Sequence, residues 1–193
     1  MEIERKWMVA GWPQLSNEKL PLIGTEYQEQ GYVHTQVPIV RIRLEARIED
    51  SSKEAGSGSL TEAVKESVPD GCAHYIMCFK SAGYLMREEI EIEISKEEFG
   101  RLSGLIGLPL IRKVRRIYQL PGDLALEVNL VDEGLPTEFM YAEIEYSSEL
   151  QARSWDPSSC GLGDYLTDDV TEQPGQSMSA FWARTRILAE HAD

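Results

Sequence analysis

The sequence predicts an α+β fold, one domain of about eight strands with fewer helices. Three observations predict it. Six segments alternate charged and apolar residues with period two, which gives a strand two unlike faces. Turn signals at Ser81-Ala82-Gly83 and Pro121-Gly122-Asp123 separate neighbouring strands, and the first reads as a tight hairpin. Helical periodicity is confined to a few stretches, led by the capping box Ser95-Lys96-Glu97-Glu98.

The elements follow in order. In the first strand Glu2, Glu4 and Lys6 share one face, and Ile3, Trp7 and Val9 the other. A short helix is expected near Ser16 to Leu22, then a mixed strand from Thr25 to Val33. Arg41, Arg43, Glu45 and Arg47 oppose Ile42, Leu44, Ala46 and Ile48. The stretch from Glu49 to Gly71, rich in Ser, Gly, Glu and Lys with little apolar periodicity, reads as a mobile inserted loop. Ala73 to Ser81 sets Ile76, Cys78 and Lys80 against Tyr75, Met77 and Phe79. After Gly83, Arg87, Glu89, Glu91 and Glu93 oppose Ile90, Ile92 and Ile94. The capped helix carries Phe99, Leu102, Leu105 and Ile106, and Gly107 and Pro109 end it. Lys113 and Arg115 then face away from Val114 and Tyr118, with Arg116 breaking the pattern. Glu127 and Asn129 oppose Leu126, Val128 and Leu130, and Glu143 and Glu145 oppose Ile144 and Tyr146. Ser147 to Trp155 reads as a helix, and Ser177 to His191 as an amphipathic one with Phe181, Ile187 and Leu188. Asp156 to Gly163 and Gln173 to Ser177 read as loops.

The bulk numbers exclude several classes. A formal net charge of −14 repels nucleic acid and anionic membranes. There is no apolar run of about 18 residues and no signal-peptide pattern at the start, so a cytoplasmic protein is expected. Cys72, Cys78 and Cys160 are odd in number and widely spaced, which fits idle thiols better than disulfides or a zinc site. His34, His74 and His191 lack ligand spacing, and Trp7, Trp12, Trp155 and Trp182 are expected between helices and the outer sheet face.

Two arrangements satisfy the charged faces. One is a half-exposed sheet whose cross-strand ion pairs face water. The other is a sheet curled into a barrel, aliphatic face outward under the helices and charged face inward. Such an interior is costly unless its charges are hydrated, paired or filled by ions. Carboxylates in it would hold a divalent cation, and Lys and Arg would hold phosphate oxygens. Three helices are available to cover the aliphatic face, which favours the barrel.

The chain resembles the CYTH superfamily, the triphosphate tunnel metalloenzymes. Their ExExK signature stands here as Glu2-Ile3-Glu4-Arg5-Lys6, and its place at the N-terminus together with ordered later matches makes it specific. Arg41-Ile42-Arg43 is similar to the RxR strand, Lys80 to the single-lysine strand, and Arg87-Glu88-Glu89-Ile90-Glu91 to RxExE. Lys113-Val114-Arg115 is similar to KxR, Glu127-Val128-Asn129 stands where ExD is usual, and Ala142-Glu143-Ile144-Glu145 and Leu166-Thr167-Asp168-Asp169 are similar to the AEIE and VTxD segments.

The resemblance implies an eight-stranded antiparallel tunnel with a charged interior and outer helices, forming a single domain over 1–193 with Mg²⁺ or Mn²⁺ as cofactor. It implies Glu2, Glu4, Glu143 and Glu145 at the metal, and Lys6, Arg41, Arg43, Lys80, Arg87, Lys113 and Arg115 on the triphosphate. Glu89, Glu91, Glu127 and Asn129 would serve a second metal or orient the basic groups. The implied reaction is hydrolysis of a triphosphate, inorganic triphosphate first and nucleoside or thiamine triphosphate next, with Lys6, Glu4 and Glu127 in the catalytic set. A class IV-type adenylate cyclase and a non-catalytic polyphosphate-binding module are the alternatives. The expected partner is a small-molecule triphosphate rather than nucleic acid or membrane, for a monomer or homodimer. Two departures stand out. Asn129 replaces the usual Asp, and 170–179 carries no basic residue, so that end of the tunnel is expected to be less closed, or reordered by the insertion.

Overall fold

The structure is a computed structural model that describes residues 1–48, 58–69 and 71–190. The strands are β1 (Glu2–Val9), β2 (Leu22–His34), β3 (Ile39–Ile48), β4 (Ala73–Lys80), β5 (Met86–Arg87), β6 (Glu89–Glu93), β7 (Ile111–Gln119), β8 (Ala125–Val131), β9 (Phe139–Glu145) and β10 (Asp168–Asp169). The helices are α1 (Leu60–Glu66), α2 (Lys96–Ile106), α3 (Glu149–Ser154), and α4 (Met178–Trp182), which runs through a π turn (Ala183–Ile187) into α5 (Leu188–Glu190). No helix among the described residues is long and apolar enough to cross a membrane.

The strands pair antiparallel in the order β10-β1-β9-β8-β7-β2-β3-β4-β6, and β5 pairs with β1. Glu88 interrupts what is otherwise one strand, so β6 lies on β4 while β5 crosses to β1 and closes the ring. With β5 and β6 taken as one, eight strands run around an antiparallel barrel, and β10 adds a short ladder on the other half of β1's free edge. A barrel of about eight strands has an interior that side chains nearly fill.

Register decides which face is inside. Glu4 stands opposite Glu145, Lys6 opposite Glu143, Arg115 opposite Asn129 and Lys80 opposite Glu89, so the charged faces of the strands meet around one lumen. The aliphatic face points outward and is covered. Trp7, Leu126, Val128, Ala142 and Ile144 are buried beneath Leu20, Ala152, Leu162 and Leu166. Tyr27, Val114 and Leu130 pack against Leu60 and Val64 of α1. At one end the inward-facing Tyr32, Ile111, Val131 and Tyr141 meet Phe181 and Trp182 of α4.

Several sequence expectations change. Ser16 to Leu22 forms a single turn, closed by Leu20 N–H on Ser16 O at 3.0 Å, because β2 already begins at Leu22. The stretch read as a loop over 49–71 contains α1; residues 49–57 and 70 lie outside the described residues. Glu133 draws α1 onto the barrel by accepting the Leu60 N–H at 3.0 Å and the Thr61 N–H at 2.6 Å, two donors a helix start leaves open. Ser81-Ala82-Gly83 is not a tight hairpin. It begins a longer connection in which Gly83 takes φ +151, and a Cβ there would meet Met86 O at 2.0 Å. The turn at Pro121-Gly122-Asp123 forms as expected, with Gly122 at φ +75 and Asp123 at φ +58. The capping box at Ser95 and the left-handed Gly107 bound α2 as expected.

Candidate active site

The inward faces enclose a cavity of about 770 Å³. Seven cations line it: Lys6, Arg41, Arg43, Lys80, Arg87, Lys113 and Arg115. Seven carboxylates line it too: Glu2, Glu4, Glu89, Glu91, Glu127, Glu143 and Glu145. Every charged side chain assigned from the sequence to substrate or metal therefore reaches one cavity, and Asn129 lies buried beside it, bonded to Arg115.

The groups pair in a chain around the wall. Arg87 donates through Nε to Glu2 and through Nη2 to Glu4, both at 2.6 Å. Lys80 Nζ lies 2.9 Å from Glu89 and 3.5 Å from Glu2. Glu91 Oε1 takes Arg41 at 3.3 Å and Arg43 at 3.2 Å. Arg115 pairs with Glu127 at 2.7 Å and donates through Nε to Asn129 Oδ1 at 3.1 Å. Lys6 lies 3.4 Å from Glu143 and 3.7 Å from the centre of the Tyr141 ring. Lys113 differs. Among the described residues it has no carboxylate within ion-pair distance, and it donates to Tyr141 Oη at 3.1 Å.

Burial and neighbours set the protonation states. Burial, then the nearby Glu143, pushes Glu4 up to about 7 despite Arg87. Burial also raises Glu127 and Glu145, with Glu2 adding to the second. Burial alone would raise Glu89, but its hydrogen bond with Glu2 and its pairing with Lys80 bring it down to about 2. Burial, then the Arg115 charge, holds Lys113 well below the ordinary ammonium range. Burial and its bond to Glu89 push the Cys78 thiol up to about 12, so it is a neutral donor.

The expected metal ligands are close but do not form a cage. Among the described residues one trio of potential ligand atoms lies within 4.8 Å, namely Cys78, Glu89 and Glu91. That trio holds a protonated thiol and faces Arg41 and Lys80, an environment that repels a cation. Glu2, Glu4, Glu143 and Glu145 fit a hard divalent ion better by chemistry, since all donors are carboxylate oxygens. Glu4 and Glu145 are direct cross-strand neighbours, and a cation held by them would offset the repulsion of their like charges.

The sequence missed some of the lining. Gln30, Tyr32 and Tyr141 line the cavity, and Gln28 shares the inward face of β2. Gln28 and Gln30 are fully buried, and each leaves its amide oxygen without a hydrogen-bond partner among the described residues. Their signal was the period-two run Glu26, Gln28, Gln30, Tyr32, which carries only one charge. Asn129 serves the wall directly by holding Arg115. In the C-terminal segment Ser179 and Ala183 line the cavity, and Phe181 and Trp182 pack against Tyr32, Ile111, Val131 and Tyr141 at one end of the barrel. Arg5, inside the ExExK signature, faces outward, bonding the carbonyls of Ala152 and Trp155 and pairing with Asp169 at 2.7 Å.

No known protein-family model matches the chain. The chain is 28% identical over 168 residues to an inorganic triphosphatase of Nitrosomonas europaea, covering 87% of this chain and 90% of that protein. A solved structure of an inorganic triphosphatase superposes with TM-score 0.52 at 24% identity, covering 93% of this chain and 96% of that one. A Hippeastrum protein first taken for an adenylyl cyclase, with a dominant triphosphatase activity, superposes with TM-score 0.57 at 17% identity, covering 95% and 96%. The barrel is the fold these structures share with the chain.

Proposed function

We propose that this chain of the CYTH superfamily is a metal-dependent triphosphatase, hydrolysing inorganic triphosphate to orthophosphate and diphosphate in the lumen of its barrel. One observation carries the reading: seven cations and seven carboxylates converge on one cavity. An interior already balanced in charge does not accept a polyanion alone. It accepts a polyanion that brings cations with it, which is the form of a metal triphosphate complex.

Phosphoryl transfer needs positioning and charge neutralisation more than covalent chemistry from the protein. Lys6, Arg41, Arg43, Lys80, Arg87 and Arg115 supply that charge from five different strands. Arginine holds phosphate oxygens two at a time and so fixes orientation as well as position. Glu2, Glu4, Glu143 and Glu145 would hold Mg²⁺ or Mn²⁺, which when bound polarises the phosphoryl oxygens. Glu89 and Glu91 orient Lys80, Arg41 and Arg43, and Glu127 with Asn129 orients Arg115. The attacking water needs a proton acceptor. Lys113, held far below the usual ammonium range by burial and then Arg115, is a buried group outside the metal ligands whose protonation suits that task.

The relative's activity supports hydrolysis over ATP cyclisation or passive polyphosphate binding. The three free thiols support a cytoplasmic location. The test is phosphate release from inorganic triphosphate with Mg²⁺, with Mn²⁺ and with EDTA. Release that depends on metal is expected, as is loss of at least about a hundredfold in Lys6→Ala. Absence of metal-dependent release, or full activity in folded Lys6→Ala protein, refutes the reading.

A further inference from the structure

One row of the lumen wall is neutral where its neighbours are charged. On the inward face of β2, Glu26 is followed by Gln28, Gln30 and Tyr32. Register sets this row against Lys113. Gln28 stands directly opposite Lys113 on β7 and Glu45 on β3, and Gln30 is the next inward position along β2. Opposite and diagonal positions on one face of a sheet lie within reach of long side chains.

No carboxylate is left for Lys113. Arg115 lies two residues along its own strand. Arg41, Arg43 and Glu45 share its lumen from β3, Glu26 and Tyr32 from β2, and Glu127 from β8. Tyr141 and Glu143 do so from β9, and Lys6 from β1. Each of these carboxylates is engaged elsewhere. Glu45 lies 2.8 Å from Arg43, Glu127 2.7 Å from Arg115 and Glu143 3.4 Å from Lys6. Glu26 accepts the Gln28 amide N–H at 3.1 Å and lies 4.0 Å from Arg115.

The glutamines offer Lys113 something a carboxylate does not. Gln28 uses its amide nitrogen on Glu26, and Gln30 gives its own to Tyr32 Oη at 3.1 Å. Each amide oxygen is then a buried acceptor with no donor among the described residues. For Gln28 this orientation is fixed, because a carboxylate only accepts. A buried acceptor left without a donor is costly. Lys113 donates to Tyr141 Oη at 3.1 Å, and a protonated amine has further hydrogens to give. The Tyr141 hydroxyl and the two amide oxygens together match the three hydrogens of an ammonium. Neutral oxygens favour that ammonium less than a carboxylate does, so the amine stays free until a proton arrives.

We propose that Gln28 and Gln30 are positioning residues for hydrolysis, their amide oxygens receiving the Lys113 hydrogens as the amine takes a proton from the attacking water. The O–H bond of the water breaks and its proton joins the Nζ lone pair. The water oxygen bonds the terminal phosphorus as the bond from that phosphorus to the bridging oxygen breaks, and that electron pair leaves with diphosphate. Lys113 then returns the proton to solvent water. This rests on the triphosphatase reading and adds to it the side chains that set the strength of the proton acceptor.

The experiment follows kcat and KM for inorganic triphosphate at saturating Mg²⁺, from about pH 5.5 to about 9.5, in wild type, Gln28→Glu, Gln28→Met and Gln30→Met. Gln28→Glu gives Lys113 an anionic partner, so the rise of kcat with pH is expected to move up by about one unit while KM changes by less than about twofold. The two Met variants remove an acceptor and add no charge, so kcat is expected to fall about tenfold and its rise with pH to move down. A packing defect lowers kcat but does not move the profile in opposite directions for Glu and Met. A Gln28→Glu profile that coincides with wild type, or that shifts the same way as Gln28→Met, overturns the inference while the triphosphatase reading stands. If the Gln28 variants do not fold, Gln30→Met decides, and a wild-type profile in it overturns the inference. Wild-type protein that releases no phosphate overturns both.

Discussion

Replacing Arg186 by Met tests how the end of the barrel is sealed. Arg186 sits in the π turn that follows α4, and such a turn shifts the side chains after it relative to an α-helical course. It donates to Asp132 at 2.8 Å and 2.7 Å, and to Pro109 O at 3.3 Å. Asp132 is 1% exposed and holds φ +52 at the β8–β9 connection. Without Arg186 its carboxylate keeps only the Thr137 hydroxyl at 2.9 Å and a long bond from the Arg112 N–H at 3.4 Å. Removing one partner of a buried ion pair costs about 3–5 kcal/mol. For a chain of this length that lowers the melting temperature by about 6–20 °C. Thermal unfolding followed by circular dichroism measures it. The double variant Asp132→Asn with Arg186→Met removes the orphaned charge and is expected to recover part of the loss. A midpoint for Arg186→Met within about 2 °C of wild type refutes the argument. So would a double variant whose losses simply add.

Two further outcomes follow from the site. Asn129→Asp places a carboxylate 3.1 Å from Arg115 Nε, where a second anion beside Glu127 offsets the charge that Arg115 offers a phosphate. A rise in KM for inorganic triphosphate of about three- to tenfold is expected, and an unchanged KM in steady-state assays counts against this role for Arg115. The pH dependence has a definite sign. Glu4, raised to about 7 in the fold, binds its proton more tightly than in the unfolded chain, so this group's contribution to stability is lost as pH rises from about 4.5 to 7. Glu89, lowered to about 2, contributes stability above about 4.5 that is lost as pH falls toward 2. If Glu4 is a metal ligand as proposed, Mn²⁺ would compete with its proton, and Mn²⁺ affinity measured by titration calorimetry is expected to rise by up to about tenfold per pH unit below 7 and to level off above. A pH-independent affinity between 5.5 and 7 removes Glu4 from the ligand set.

The strands that carry the site were legible because their two faces differ so sharply. Glu2-Ile3-Glu4 or Glu143-Ile144-Glu145 admits few other readings once six segments repeat it. β2 was read only as a mixed strand because Gln28, Gln30 and Tyr32 are uncharged, and their burial follows from neighbours on β3 and β7 that lie far away in sequence. α1 escaped notice for a similar reason. It is 7 residues long, and what holds it is Glu133, more than 60 residues downstream. The break at Glu88 has no local signature either. The chain crosses there from β4 to β1 because the ring must close, a demand no short window of sequence expresses. The sealed end depends on Arg186 meeting Asp132, which the helical periodicity of 177–191 does not indicate.

Two facing pairs along the wall, Glu4 with Glu145 and Glu127 with Glu143, bring like charges together across adjacent strands. A sheet selected for stability alone would replace them. On the proposed function, a cation held there would offset that repulsion. A ligand that binds only the folded state at a hundred times its Kd adds about 2.7 kcal/mol of stability. On the proposed function, metal and triphosphate together would therefore raise the temperature at which the protein unfolds.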